Sequence, residues 1–522
     1  KSETQNFGVV SKTNPKAAAS LKEVLGPTGV SLAVLVAQAR DAVVFGPDAS
    51  KRGLKFLGNV YDTCTDLYLM ILEALAGPGY GGCLEGVDAE ALLEMGVGAD
   101  VVMAVVRPMH GMAMAEEEER EAKRKAGLEV SEAIHASWLP ENMRALYERG
   151  MGEAKGLGVE LYEAFWSHRL YDLYVPKARY EAEVSRLRKD VARIEKGWKA
   201  GKERAAAQTA DVERMKRAAS DLDAERERQE KHCTAVRRKI EGSRNAFLSG
   251  LDAGAVEKST ASDLLEKCVY ARCMISPEDA SYCAKFLRTL VSVDTPSLPA
   301  LSIYDSLVRS SAGLLYSVTE GEAGNLGVML REVWTLLSRW RWDEKAFEDE
   351  AQGKKAFMIG GKRIHKKEFN AVYSKWHDVL WKACEAGLMA KEYMHIRATL
   401  VILSCVVKCF PRRAEAGKGL LERVTVLRGD SRQDVKAMAN AYHAQLCKAR
   451  DGGEWRKEDG GVWRDVEEEK RKKLKMKVRQ EETKKKGDEM QIEMKGGVVE
   501  GGGGSGRVSP PPPRPPGRWS NF

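Results

Sequence analysis

The sequence predicts an all-α protein: a HEAT-like helical solenoid with a long coiled-coil hairpin inserted in it and a disordered, basic, Pro/Gly-rich C-terminal tail. Three observations carry this expectation. Apolar residues recur at spacings of three and four in segment after segment, one stretch keeps a strict heptad rhythm, and no run alternates at period two for long enough to build a sheet. With 522 residues, 43% of them hydrophobic and 31% charged, the chain is long and apolar enough to bury a sizeable core.

Residues 1–53 read as the N-terminal segment of a truncated helical array. The chain starts at Lys1 rather than Met and reads as a piece of a longer protein; KSETQNFGVV has no basic region followed by an apolar core, so no secretory signal is expected. The apolar runs Val30–Ala39 and Leu400–Val407 fall short of the ~20 residues that cross a bilayer, which predicts a soluble protein with no membrane partner.

Residues 54–176 are expected to form a helical region with irregular Gly-rich loops. From Leu54 to Leu75 the spacing of Leu54, Leu57, Tyr61, Cys64, Leu67, Tyr68 and Ile71 marks one face of an amphipathic helix. GPGYGG at 77–82 ends it. Those residues match GxGxxG, but they follow a helix instead of a strand and contain Pro78, so they read as a loop and not a phosphate cradle. Short helical pieces are expected between Gly82 and Gly158, around the acidic run Glu116–Glu119. From Leu161 to Tyr174 an aromatic stripe (Phe165, Trp166, Tyr174) predicts a core-facing helix broken or restarted at Pro176.

Residues 177–249 predict the coiled-coil hairpin. Tyr180, Val184, Leu187, Val191, Ile194 and Trp198 alternate by four and three; Val212, Met215, Ala219 and Leu222, then Cys233, Val236, Ile240 and Phe247, supply a second seam, weakened by Arg226 and Gln229. The Lys/Ala/Gly-rich stretch 199–210 is the expected turn. A single solvated helix or partial disorder is the alternative.

Residues 262–450 predict a helical-repeat domain. Ser276-Pro277-Glu278-Asp279 supplies an N-cap, a proline at the first helical position and early acids. A break at 295–299 precedes helices near 300–316, 320–342, 366–387, 391–410, 414–427 and 431–450. Short connections between helices of similar length are what stacked helical pairs look like. Residues 451–522 become charged and then collapse into glycines and prolines, a spacer or an extended docking peptide that cannot bury a core.

No signature of catalysis, cofactor or metal binding emerges. Gly360-Gly361-Lys362-Arg363 lacks the glycine and hydroxyl positions of a P-loop, the ten cysteines form no CxxC pair and read as reduced thiols, and His377 lies ~10.5 Å along a helix from Cys384, too far for a nucleophile and base. Trp334, Trp340, Trp342, Trp376 and Trp381 are expected at helix interfaces. One segment has a plausible physical activity. Lys470, Arg471, Lys472, Lys473, Lys475, Lys477, Arg479, Lys484, Lys485 and Lys486 face only Glu481 and Glu482, an excess as large as the +8 of the whole chain. Such a cluster serves either as an RNA or RNA-DNA contact through phosphates or as a nuclear import signal.

Several blocks, in order, resemble the THO complex subunit 2 family. They are LKFLGNVYDTC at 54–64, VRPM at 106–109, YEAFWSHRLYDLYVPKARYEAEVSRLR at 162–188, ARCMISPEDASYCAKFLRTLVSVDTPSLPALSIYDSL at 271–307, EGEA at 320–323, SRWRWDEKAFEDE at 338–350, FNAVYSKWHDVLWKAC at 369–384, KEYMHIRATLVILSCVVKCFP at 391–411, GLLERV at 419–424 and KAMANAYHAQL at 436–446. The resemblance implies the C-terminal half of a large α-helical scaffold in the nucleus, part of the THO and TREX assembly that couples transcription to mRNA packaging and export. It implies other THO subunits, a DEAD-box RNA helicase and mRNA export adaptors as partners, with the ATPase belonging to the helicase and no enzyme in this chain. The region 353–364 looks shorter than the family loop, and glycines at 321, 324 and 327 predict an irregular helix near 320. On the residues alone, a helical-repeat and coiled-coil adaptor for cytoskeletal or trafficking assembly stands beside this reading.

Overall fold

The computed structural model describes residues 23–75, 89–127, 143–199, 206–249, 253–359 and 362–457. Its first pair of helices is α1 (Gly29–Val44) and α2 (Leu54–Leu75), which lie against each other. The ends of α2 fall where the apolar period starts and stops, but its buried face differs from the expected one. Leu54 and Leu67 are exposed, while Gly58, Thr65, Tyr68, Ile71 and Leu72 face inward. The helix is apolar over most of its circumference, so spacing alone admits more than one inward face.

The next segment corrects the expectation of short pieces. After α3 (Ala89–Glu94), α4 runs for 27 residues, Ala99–Lys125, straight through Pro108 and the acidic run. Val101 to Val106 are all buried, and the Ala, Met, Glu, Lys and Arg that follow are strong helix formers, which outweighs one proline and scattered glycines. Then come α5 (Met143–Met151), α6 (Val159–Ser167) and α7 (Leu170–Leu173). The aromatic stripe is therefore split: His168 and Arg169 are extended, and the side chain of Asp172 accepts the Arg169 N–H (2.5 Å) to start α7.

Two long helices follow, α8 (Lys177–Lys199) and α9 (Ala206–Ser243). They run antiparallel, since Lys177 meets Glu230, Arg188 meets Asp223 and Lys216 meets Glu195. Val184, Leu187 and Ala219 form a small apolar seam of their own, with Met215 and Leu222 against it. The second half of the expected α9 seam does something else: Val236 and Ile240 join the main core of the body.

From there α10 (Ala253–Leu264) passes through a π turn, Leu265–Tyr270, into α11 (Ala271–Cys273). In α12 (Pro277–Ser292) the Ser276 hydroxyl accepts the Asp279 N–H at 3.1 Å, the cap the sequence announced. Then come α13 (Ala300–Leu314), α14 (Glu320–Trp342), the short α15 (Glu344–Phe347), α16 (Lys366–Leu388), α17 (Tyr393–Val406), α18 (Ala414–Leu427) and α19 (Gln433–Asp451). A two-residue ribbon, β1 (Met358–Ile359) and β2 (Lys362–Arg363), supplies the strands among the described residues. The glycines do not disturb α14. It begins with a capping box between Thr319 and Glu322 and continues regularly to Trp342. Gly321 and Gly327 instead permit close approach: a Cβ at either would lie within 2.9 Å of Asp62 or Cys405.

Helix pairs α12/α14, α14/α17, α13/α16, α16/α18 and α18/α19 build the body. One continuous core runs from Val30 to Trp455, with Trp334, Trp340 and Trp376 almost fully enclosed and Cys268, Cys273, Cys283, Cys384 and Cys409 buried as small apolar groups. Cys64, Cys233, Cys405 and Cys447 are only half-buried.

Candidate partner-binding body and hairpin base

The chemistry of the body concentrates at one joint. Arg272, at the end of α11, is 1% exposed, and each face of its guanidinium has an assigned task. Nε donates to Asp279 Oδ1 (2.8 Å), Nη1 to the Phe165 carbonyl (2.6 Å) and Nη2 to the His168 carbonyl (2.9 Å), while the cation lies 3.7 Å from the Tyr282 ring centroid. The last two carbonyls close the broken C-terminus of α6, so the irregularity after Ser167 is what Arg272 binds. Asp279 also accepts Arg107 from α4 (2.5 Å) and the Ser276 hydroxyl (2.9 Å). Burial pushes its carboxyl up, but the Arg107 and Arg272 guanidiniums outweigh that and hold it at about 2. Segments more than 100 residues apart are thereby locked by one buried ionic cluster.

The base of the α8/α9 pair is a second polar latch. Gln229, 4% exposed, donates to the Tyr171 (3.3 Å) and Tyr174 (3.1 Å) carbonyls and accepts the Tyr180 hydroxyl (3.2 Å). His232 Nε2 lies 2.7 Å from Asp172 Oδ1. The residue that weakens the heptad seam is thus the one that ties α9 to the body, and the interruption was its only trace in the sequence. The Arg272 contacts with the Phe165 and His168 carbonyls and the Asp172–His232 pair left no trace, because those partners lie 60 or more residues apart.

These groups are engaged with one another across α4, α6, α7, α9, α11 and α12. His377 accepts the Arg412 N–H on Nε2 (3.1 Å). Among the described residues no group of three His, Cys, Asp or Glu is placed to hold a metal ion, and no helix is long and apolar enough to cross a membrane. The basic cluster from Lys470 to Lys486 lies outside the described residues, as does the loop at 77–82.

A model of the Tho2 family, described as transcription factor/nuclear export subunit protein 2, matches residues 154–446, which take in α6 to α18 and most of the joint. The chain belongs to the Tho2 family. Among Tho2 relatives, THO complex subunit 2 of Arabidopsis thaliana is 26% identical over 450 residues, 80% of this chain and 24% of that protein. THO complex subunit 2 of Homo sapiens is 25% identical over 475 residues, 85% of this chain and 29% of that protein. The Saccharomyces cerevisiae protein of the same name is 28% identical over 191 residues, 36% of this chain and 10% of that protein. The chain spans less than a third of the length of each of these Tho2 relatives.

Proposed function

We propose that this chain acts as a nonenzymatic scaffold within a nuclear THO and TREX assembly, coupling transcription to the packaging and export of mRNA. The Tho2 match across residues 154–446 carries the reading, and relatives named THO complex subunit 2 support it. Its partners are the other THO subunits, a DEAD-box RNA helicase and mRNA export adaptors. The paired helices of the body act as a HEAT-like solenoid that offers long surfaces to those partners, and α8 with α9 acts as a coiled-coil hairpin projecting from it. The basic cluster Lys470–Lys486, followed by a Gly/Pro-rich sequence, contacts RNA through phosphates without choosing sequence.

Affinity purification of the tagged full-length subunit from nuclear extract, with mass spectrometry after RNase treatment, tests this. Recovery of THO subunits together with a DEAD-box helicase is the expected outcome. Recovery of cytoskeletal or vesicle proteins in their place would overturn it.

A further inference from the structure

We propose that a cleft at the C-terminal end of α14 is a phosphate-binding site for single-stranded RNA, so that the helical body as well as the tail holds the transcript. The proposal rests on the scaffold reading above and gives that scaffold a second, structured contact with its cargo.

The cleft has a volume of about 200 Å³ and is lined by Arg341, Trp342, Asn370, Tyr373, Ser374 and Arg413. Three elements meet there: the last turn of α14, the first half of α16 and the residue before α18. Two guanidiniums from different elements converge on one hollow, and each is held in position beforehand. Arg341 lies over the Trp342 ring, 4.2 Å from its centroid. Arg413 is steered by Asp378 and by Glu415, the latter at 3.5 Å. Tyr373 forms part of the lining, its hydroxyl 3.0 Å from Ser338 Oγ. Holding two planar forks in place before a ligand arrives lowers the ordering cost of binding an oxyanion.

Lysines flank the cleft. Lys366, at the start of α16, titrates below its ordinary value chiefly because of burial and then because of Arg341, while Asp343, Glu344 and Glu348 pull it the other way. Lys367 and Lys375 are exposed and lie one helical turn to either side of Ala371, about 6 Å along the axis in each direction. A row of cations therefore passes across the mouth of the cleft. A single acidic side chain would use the hollow alone, whereas a strand of phosphates uses the hollow and the row. A flexible single strand can bend one phosphate into a recess; a duplex presents its phosphates on a broad convex cylinder. In the cleft wall the indole N–H of Trp342 and the carboxamide oxygen of Asn370 have no hydrogen-bond partner, capacity that a small side-chain shift turns toward a bound sugar-phosphate.

The test uses the full chain with the ten basic residues from Lys470 to Lys486 replaced by Gln, and fluorescein-labelled oligo(U) read by anisotropy across a salt series. This chain should still bind oligo(U), and Arg341→Gln or Ser374→Glu in that background should each weaken binding about tenfold and flatten the salt slope by about one ion, with melting unchanged. Ser374→Glu adds a carboxylate at the rim without removing a packed group, so it stays informative if Arg341→Gln unfolds. No oligo(U) binding by the tail-neutralised chain, or unchanged affinity in Ser374→Glu, would overturn the cleft while leaving partner recovery from nuclear extract intact. Tighter competition by a phosphoserine peptide than by oligo(U) would overturn it in favour of a peptide ligand.

Discussion

Asp279 shows how much one carboxylate can hold. It sits between Arg272 and Arg107 with no solvent to replace either partner, so removing its charge leaves buried cations uncompensated. Asp279→Asn is expected to cost about 3 kcal/mol of unfolding free energy in urea titrations, whereas Glu183→Ala, which breaks an exposed pair with Arg186, should cost less than about 0.5 kcal/mol. Two histidines set the acid limit. His110 is pushed down to about 4 by burial and by His168, Lys239 and Arg169, and His377 to about 3 by burial and Arg413. Both folded values lie below that of the unfolded chain, near 6.5. Above that pH neither state binds the proton and stability is unaffected. As pH falls below it, the unfolded chain takes up protons that the folded one refuses, and stability drops until about pH 3 to 4. The unfolding free energy from urea titrations should therefore fall between pH 7 and pH 5, by up to about 2 kcal/mol for each histidine, and His110→Gln should lessen the decline.

Helix ends were legible where a side chain caps them. Ser276-Pro277 announces α12, and the helices from Ala300 to Asp451 start and stop within a few residues of where the apolar period does. The break at His168 was not legible, because no glycine or proline marks it and its reason, Arg272, lies more than 100 residues on. The length of α4 was hidden because the sequence there reads as Gly-rich and irregular, whereas Val101 to Val106 are buried within one continuous helix. Gln229→Leu tests the latch at the base of α9. It leaves the Tyr171 and Tyr174 carbonyls without their amide donor, and should lower stability by about 1–3 kcal/mol with faster amide exchange concentrated in α7 and the adjoining part of α9. The first two helices carry a different liability. Leu32, Leu35, Phe45, Leu54, Phe56 and Leu67 are all at least 40% exposed. Leu35→Lys with Phe56→Lys should reduce concentration-dependent light scattering without lowering the melting temperature.

For the whole molecule, composition separates an apolar, periodic body from a C-terminal segment of lysines, glycines and prolines with too little apolar surface in its sequence for a core. The basic cluster from Lys470 to Lys486 is visible in the sequence alone, because charge density is a local property. The cleft at Arg341 and Arg413 was not, because its two cations are 72 positions apart and meet only when α14, α16 and α18 pack. Replacing the basic residues from Lys470 to Lys477 with Gln should weaken RNA binding and flatten its salt slope while leaving the circular dichroism of the body unchanged.

The continuity of α9 has a mechanical meaning. A helix unbroken from Ala206 to Ser243 has no hinge, and its last turns are clamped by Val236 and Ile240 in the core while Ala219, nearer its start, packs on Val184 and Leu187 of α8. A load applied where it pairs with α8 is therefore carried along a stiff strut about 57 Å long and delivered as torque at Gln229 and His232, beside the strands of chain that Arg272 holds. α9 is thus a lever whose fulcrum is the latch, and a force on its first turns reaches the buried joint without touching it.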